Sequence, residues 1–174
     1  MRPNKNDYAP YYERYISLVE GDDINKILSS QSKETQEVLN SFPGAMGSYC
    51  YEPGKWTVKE VIGHLIDTER VMAYRAMCFA RGEHQQLPGF DQDAYVKFGN
   101  FNQKELFELI YEFRLLRDSN MLLAKGFTQE ALQRRGIANK NEVTVLALLY
   151  IIAGHEKHHM NILIERYKKS YLNQ

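Results

Sequence analysis

The sequence predicts an all-α protein, and more narrowly a four-helix bundle. Apolar residues recur at helical spacing in four long segments, and most of these segments begin with residues that typically cap helices. No stretch shows the alternation of apolar and polar residues that is typical of a half-buried strand. At 174 residues the chain can bury a sizeable core, so residues 1–174 are expected to form a single domain.

The first part of the chain is predicted to contain one long helix. Residues 1–10 are polar and include two prolines, so we expect a flexible leader, followed by a short helical segment at 11–19. The Gly-Asp-Asp sequence at 21–23 breaks the chain and offers an N-cap for the first long helix, over residues 24–42. The region that follows, 43–55, lacks helical periodicity and is expected to be a loop.

The second long helix has the strongest local signal in the sequence. Thr57 and Glu60 have the spacing of a capping box, and Trp56 can pack across the cap, so a helix is predicted to start here. Its apolar residues form one stripe, and His64 lies beside that stripe. Gly82 is expected to end the helix, because glycine is the usual residue after a helix C-terminus.

The third long helix is predicted to follow an irregular region. Residues 83–100 show no periodicity beyond one helical turn near Ala94. Asn102 and Glu105 then repeat the capping-box spacing, so the third helix is expected to open there. It should end at Gly126, for the same reason that the second helix ends at a glycine.

The longest apolar-periodic segment lies near the C-terminus. After a short helical piece at 129–133 and a polar loop at 136–141, the fourth long helix is predicted to start near Thr144 and to reach about Lys169. Its inward-facing residues follow one another at steps of four and three, as in the seam of a helix bundle. Two histidines lie on this seam.

Those two histidines, His155 and His159, are the main indication of function. Residues four apart lie on the same face of a helix, so both imidazoles can reach one atom. Burying them costs desolvation unless a partner satisfies the ring nitrogens, and a divalent cation would do so. His64 on the second long helix is the predicted third ligand, and three histidines leave the open position that is typical of catalytic metal sites. The alternative is a set of core histidines hydrogen-bonded to their neighbours.

Four other polar residues need separate interpretation. His158 points about 100° away from His159 and is expected near the surface, while His84 lies in a loop and is expected to be solvated. Glu69 falls on the apolar stripe of the second helix, where it could act as a catalytic base or form an ion pair with Arg75 or an arginine of another helix. Asp91 could border a substrate pocket or belong to a solvated turn.

Composition excludes several classes of partner. Twenty-two basic and 22 acidic residues give a formal charge of zero, which argues against nucleic acid or an anionic membrane surface as a partner. No apolar run approaches the ~20 residues needed to span a bilayer. Two cysteines are too few for a disulfide framework. We therefore expect a cytoplasmic protein that acts on a small molecule.

Two segments carry a resemblance to a known family. The sequence WTVKEVIGHL at 56–65 opens the second long helix, and IAGHEKHH at 152–159 lies in the fourth. Together they resemble the DinB/YfiT-like superfamily of metal-dependent enzymes, and the order and lengths of the predicted helices fit it over most of the chain.

The resemblance implies a four-helix bundle of up-down-down-up topology with zinc or nickel at one end. Matched by position, its three histidine ligands are His64, His155 and His159. The segment 87–95 looks like a loop that lies near the metal in these relatives, which makes Asp91 a candidate pocket residue. Similar proteins include thiol S-transferases that use bacillithiol or mycothiol and a mycothiol-dependent isomerase, and homodimers are common.

Three hypotheses for function follow. The first is a metal-dependent enzyme, chiefly a thiol S-transferase that uses a low-molecular-weight thiol as co-substrate, with a hydrolase as the lesser variant, because a bound ion lowers the pKa of a thiol or water. The second is a non-catalytic metal-binding or ligand-binding stress-response protein on the same bundle. The third is a helical interaction module without metal. A pocket that brings Glu69 or an arginine to the metal would favour the enzyme.

Overall fold

The computed structural model describes residues 1–172 and is mostly helical. In chain order the helices are α1 (Glu13–Ile16), α2 (Ile24–Asn40), α3 (Val58–Ala80), α4 (Gln92–Gly99), α5 (Leu106–Lys125), α6 (Gln129–Gln133), α7 (Val145–Ile162) and α8 (Lys169–Leu172). A π-helical turn, Leu163–Lys168, joins α7 to α8. Within residues 1–172, none of the helices combines the length and the hydrophobicity needed to cross a lipid bilayer.

The four long helices, α2, α3, α5 and α7, form the predicted bundle. α3 packs against α5 and α7, and α2 packs against the same two helices from the other side. The Asn102 amide, just before α5, donates to Glu60 in the first turn of α3 at 3.0 Å. The two helices therefore begin at the same end of the bundle and run parallel.

Hydrogen bonds after the C-terminal end of α7 show how this helix runs relative to α3 and α2. The Tyr167 hydroxyl donates to the carbonyl of Trp56, which precedes α3, so α7 and α3 are antiparallel. Lys168 donates to Ser41 at the end of α2, so α7 and α2 are parallel. The topology is thus up-down-down-up for α2, α3, α5 and α7.

The helix starts follow the predicted caps, with one exception. Thr57 accepts a hydrogen bond from the backbone of Glu60, and the Glu60 carboxylate accepts one from the backbone of Thr57, which completes the capping box of α3. α5 starts later than predicted, with Glu105 and Glu108 as its capping pair. Asn102 is not the cap because its side chain binds Glu60 and it lies in a separate 3-10 turn.

The N-terminal residues are packed against the bundle, which differs from the expected flexible leader. Tyr8 belongs to the apolar core, and the Asp7 side chain is buried. The Arg2 guanidinium donates to the carbonyl of Ile16, the last residue of α1, and to that of Val19. The Asp7 carboxylate also pairs with Arg135, so several specific contacts fix a segment whose overall composition is polar.

Residues 135–144 contain the two β-strands of the described residues, and Leu87 forms a parallel bridge to Ala138 beside them. Strands β1 (Arg135–Ala138) and β2 (Asn141–Thr144) pair as an antiparallel hairpin. Asn139 and Lys140 form its two-residue turn with φ of 49° and 65°, the left-handed conformation that such turns require. The expectation of a loop without strands was wrong here, because four-residue strands are too short to show clear alternation. α4 is likewise longer than the single turn predicted.

A layer of buried polar side chains divides the core into two apolar halves. One half lies between the C-terminal part of α3 and the N-terminal part of α7, and the other between the N-terminal parts of α3 and α5 and the π-helical turn. The layer between them consists of Thr35, His64, Thr68, Glu69, Arg117, His155 and Glu156, all buried. Buried polar groups are costly unless they are paired or bind a ligand, so this layer is where function is expected.

Candidate metal centre

α3 presents His64 from its first half, next to the capping box. The His64 ring lies against the indole of Trp56, with 4.9 Å between ring centroids. Thr68, one turn later on the same helix, brings its hydroxyl to 3.5 Å from Nδ1 of His64. These contacts leave Nε2 directed towards α7.

α7 presents His155 and His159 one turn apart. Next to His155, the carbonyl oxygen of Tyr15 lies 2.1 Å from the position that a Cβ on Gly154 would occupy. Only glycine allows the backbone of α1 to come this close to α7. The Tyr15 ring then packs edge-on against the imidazoles of His155 and His158.

The three histidines predicted from spacing form one cluster. One ring nitrogen from each of His64, His155 and His159 lies within 4.8 Å of the others. The two Nε2 atoms of His64 and His155 are 3.0 Å apart. Ligand atoms about 2.1 Å from a tetrahedral ion are separated by about 3.4 Å, so small side-chain adjustments would fit all three around one ion.

Burial keeps these imidazoles neutral. Desolvation lowers the pKa of His64 to about 4. Desolvation, together with the neighbouring His64 and His158, lowers the pKa of His159 to about 3. The pKa of His155 is lowered well below its usual value by burial and then by the other imidazoles. Neutral rings have free lone pairs, so the cluster fits a divalent cation at neutral pH.

The remaining two histidines lie outside the cluster. His158 is partly buried, and its ring contacts Tyr15 and His159 rather than facing the shared centre. His84 is exposed in the loop after α3. Both positions agree with the sequence analysis.

A buried ion-pair network lies on the core side of the cluster. The Arg117 guanidinium, from α5, donates to both carboxylate oxygens of Glu69 at 2.8 and 2.6 Å and pairs with Glu156 at 2.5 Å. Burial alone would lower the pKa of Arg117, but Glu156 and Glu69 outweigh that effect and raise it. Burial raises the pKa of Glu156, and Arg117 partly offsets the rise. The Asn120 amide donates a further hydrogen bond to Glu69 at 3.1 Å.

A surface pocket lies on the other side of the cluster. It has a volume of about 240 Å³, and His159 is the histidine that reaches it. The other lining residues are Tyr51, Gly54, Lys55, Trp56, Val61, Ile162 and Tyr167. A larger groove of about 530 Å³ lies between α2 and α7, but it contains none of the histidines and has no comparable chemistry.

Comparison with known proteins agrees with this fold. The sequence model of the DinB superfamily matches residues 27–163. The chain belongs to the DinB superfamily. All three clustered histidines and the three charged residues of the ion-pair network lie in the part of the chain that the DinB model matches.

Two individual relatives are informative. A protein of Oceanobacillus iheyensis, named as a putative metal-dependent hydrolase, is 23% identical over 139 residues, which is 78% of each chain. The structure of YfiT from Bacillus subtilis, described as a probable metal-dependent hydrolase with an unusual four-helix bundle topology, is similar with a TM-score of 0.74. It is 16% identical and the match covers 97% of this chain and 93% of YfiT, so this likeness shows the DinB fold.

The candidate catalytic role of Glu69 in this DinB fold is not supported by its position. Both of its oxygens are occupied by Arg117 and Asn120. Only a small void lies between Glu69 and His155, with no room for a water molecule to relay a proton. The structure instead contains the ion pair that the sequence left open as an alternative. The partner of Glu69 is Arg117 of α5, not Arg75.

The side chain of Asp91 also has a local structural role, as the cap of α4. Its side chain accepts hydrogen bonds from the backbones of Asp93 and Ala94 and caps α4. It is exposed and does not line the pocket at His159. The interpretation as a turn residue therefore fits better than a role in the pocket.

Sequence reasoning missed Arg117 and Glu156. Arg117 lies four residues after Phe113 on the inward stripe of α5, and Glu156 lies four residues after Ile152 on α7. A charged residue on an apolar stripe is the signal that could have found both, as it found Glu69. Their pairing across three helices depends on the fold and has no local signature.

Proposed function

We propose that this protein is a metal-dependent hydrolase that binds a small-molecule substrate in the pocket beside His159. The observation that carries this proposal is the convergence of three neutral imidazoles at the edge of an accessible pocket. The names of the Oceanobacillus iheyensis relative and of YfiT support the same reaction class.

In this proposal His64, His155 and His159 hold one divalent ion. Three imidazole nitrogens suit borderline metals, so zinc or nickel is favoured over calcium or magnesium. Such an ion lowers the pKa of a water or thiol in its remaining position and so supplies a nucleophile at neutral pH.

The protein's own groups orient the ligands and shape the site. The capping box fixes where α3 begins and therefore where His64 lies. Trp56 and Tyr15 pack against the rings of His64 and His155, and the buried ion pairs behind them keep α3, α5 and α7 in register. Since His64 and His155 are buried, His159 marks the side from which a substrate can approach.

A second candidate reaction is transfer of a low-molecular-weight thiol to an electrophile. One observation favours it: within residues 1–172 no carboxylate lines the pocket, and Glu69 lies behind the cluster. Hydrolysis usually benefits from a nearby group that transfers protons, whereas an activated thiol can attack an electrophile without one. The same absence is compatible with the non-catalytic alternative, a metal-binding or ligand-binding stress-response protein.

A single series of assays separates the three possibilities. Protein purified without a histidine tag and loaded with zinc or nickel is tested against a panel of small esters and amides, and then against electrophiles with low-molecular-weight thiols. Metal-dependent hydrolysis of any ester or amide in the panel supports the hydrolase. Turnover that requires an added thiol supports the second, and stoichiometric metal without turnover in either assay supports the non-catalytic protein.

A further inference from the structure

The pocket beside His159 has aromatic walls. The rings of Tyr51 and Tyr167 meet edge to face with 4.8 Å between centroids, and Trp56 lies between this pair and His64. Val61 and Ile162 add aliphatic surface. A planar apolar group would pack well here, because aromatic rings give large contact areas at defined geometry.

The walls are held in place by hydrogen bonds from the π-helical turn. The Tyr167 hydroxyl donates to the carbonyl of Trp56 at 2.6 Å, and Arg166 donates to the Tyr51 hydroxyl at 3.2 Å. Short π-helical turns occur frequently at functional sites. The aromatic walls are therefore preorganised, which reduces the entropy lost when a ligand binds.

Among residues 1–172, Lys55 is the one lysine or arginine that lines the pocket. Its side chain is exposed, and within residues 1–172 it forms no ion pair. The acidic residues Glu52 and Glu165 lie within electrostatic range of Arg166 and do not line the pocket. The pocket thus offers an unpaired cation next to aromatic walls.

Size limits what the pocket can hold. Its volume of about 240 Å³ is below the roughly 300–1,000 Å³ that is typical of sites for drug-sized ligands. A single substituted ring fits this volume, whereas a dinucleotide does not.

We propose that this pocket binds a small aromatic carboxylate, with the ring against Tyr51, Trp56 and Tyr167 and the carboxylate paired with Lys55. The role of this ligand as a substrate rests on the proposed hydrolase function. Its binding to the pocket does not, because binding does not require turnover.

The test uses phenylacetate as the probe and its neutral analogue phenylacetamide as the comparison. Trp56 is the one tryptophan of the sequence, so its fluorescence reports directly on occupancy of the pocket. Titrations at low ionic strength are expected to give about fivefold tighter binding of phenylacetate, the scale of a partly exposed ion pair. Lys55→Met should bring the two affinities within about twofold. Lys33→Met, an exposed lysine on α2 away from the pocket, should leave the preference unchanged.

The titrations are done on metal-stripped and zinc-loaded protein. Equal affinities for the two probes, or a preference that survives Lys55→Met, would overturn the proposal. Binding of phenylacetate only to the zinc-loaded protein would also overturn it, because the anion would then pair with the ion rather than with Lys55. If phenylacetate binds more tightly than phenylacetamide but no metal-dependent turnover is found with any substrate, the proposed hydrolase function is wrong and the proposed binding site is supported.

Discussion

The Nε2 atoms of His64 and His155 face each other at 3.0 Å across the contact between α3 and α7, although the two residues are 91 positions apart in the chain. The contact is possible because the capping box fixes the start of α3 and because Gly154 lets α1 press against α7 beside His155. With His159 one turn further along α7, the pair becomes a three-nitrogen cluster.

Replacing Arg117 with methionine should destabilise the protein strongly. The change leaves the carboxylates of Glu69 and Glu156 buried without their cation, which typically costs about 3–5 kcal/mol. Urea unfolding of metal-free protein measures the effect. Arg114→Met, at an exposed position of the same helix, is the control and should change stability by less than about 0.5 kcal/mol. Equal stability of the two variants would mean that the buried network contributes nothing.

The metal-free protein should lose stability as the pH falls from about 6.5 to about 4. The pKa of His64 is about 4 in the folded protein and near 6.5 in the unfolded chain, so the unfolded chain binds more protons in this window. The loss from His64 alone is at most about 3 kcal/mol. Urea midpoints at a series of pH values measure it, and His64→Gln should flatten the slope. His84→Gln is the control and should leave the dependence of stability on pH unchanged. An equal flattening in both variants would contradict the assignment of this dependence to His64.

Glu69→Gln should leave metal content unchanged and, in any metal-dependent reaction, should lower kcat by no more than a few fold. The reason is that Glu69 is held by Arg117 and Asn120 and has no water path to the cluster. Steady-state kinetics with metal analysis of the same preparation checks the prediction. A drop of about 10²-fold or more at unchanged metal content would identify Glu69 as the general base after all.

Gly154→Ala should disturb the site as well as the fold. The added methyl group would meet the Tyr15 carbonyl, so α1 must shift, at a cost of about 1–3 kcal/mol. Because His155 is the next residue, metal affinity should fall too. Gly44→Ala is the matched control, since a methyl group there meets open space. Unchanged metal affinity in Gly154→Ala would show that the packing of α1 does not position His155.

Much of this structure was predictable from local sequence. The capping box of Thr57 and Glu60 predicted the start of α3 and therefore the position of His64. The periodicity of α7 predicted that the other two clustered histidines share its inward face. Both signals are local, because caps and helical periodicity depend on neighbouring residues. Bundle geometry then limited which histidine of another helix could join His155 and His159.

What could not be predicted depends on distant contacts. The pairing of Glu69 with Arg117 joins residues 48 positions apart, and several arginines were possible partners. Residues 1–10 pack against the bundle through Arg2 and Tyr8, although their composition is polar. Tyr167 enters the pocket wall through a π-helical turn that periodicity does not reveal.

The most direct test of the central claim is the metal content of protein purified without a histidine tag. Wild type and His84→Ala are each expected to contain about one divalent ion per chain, and His159→Ala less than about a tenth of that, because a three-ligand site loses most of its affinity with one imidazole. Inductively coupled plasma mass spectrometry gives these values. Equal metal content in His159→Ala and His84→Ala would contradict the assignment of the three histidines as a metal centre.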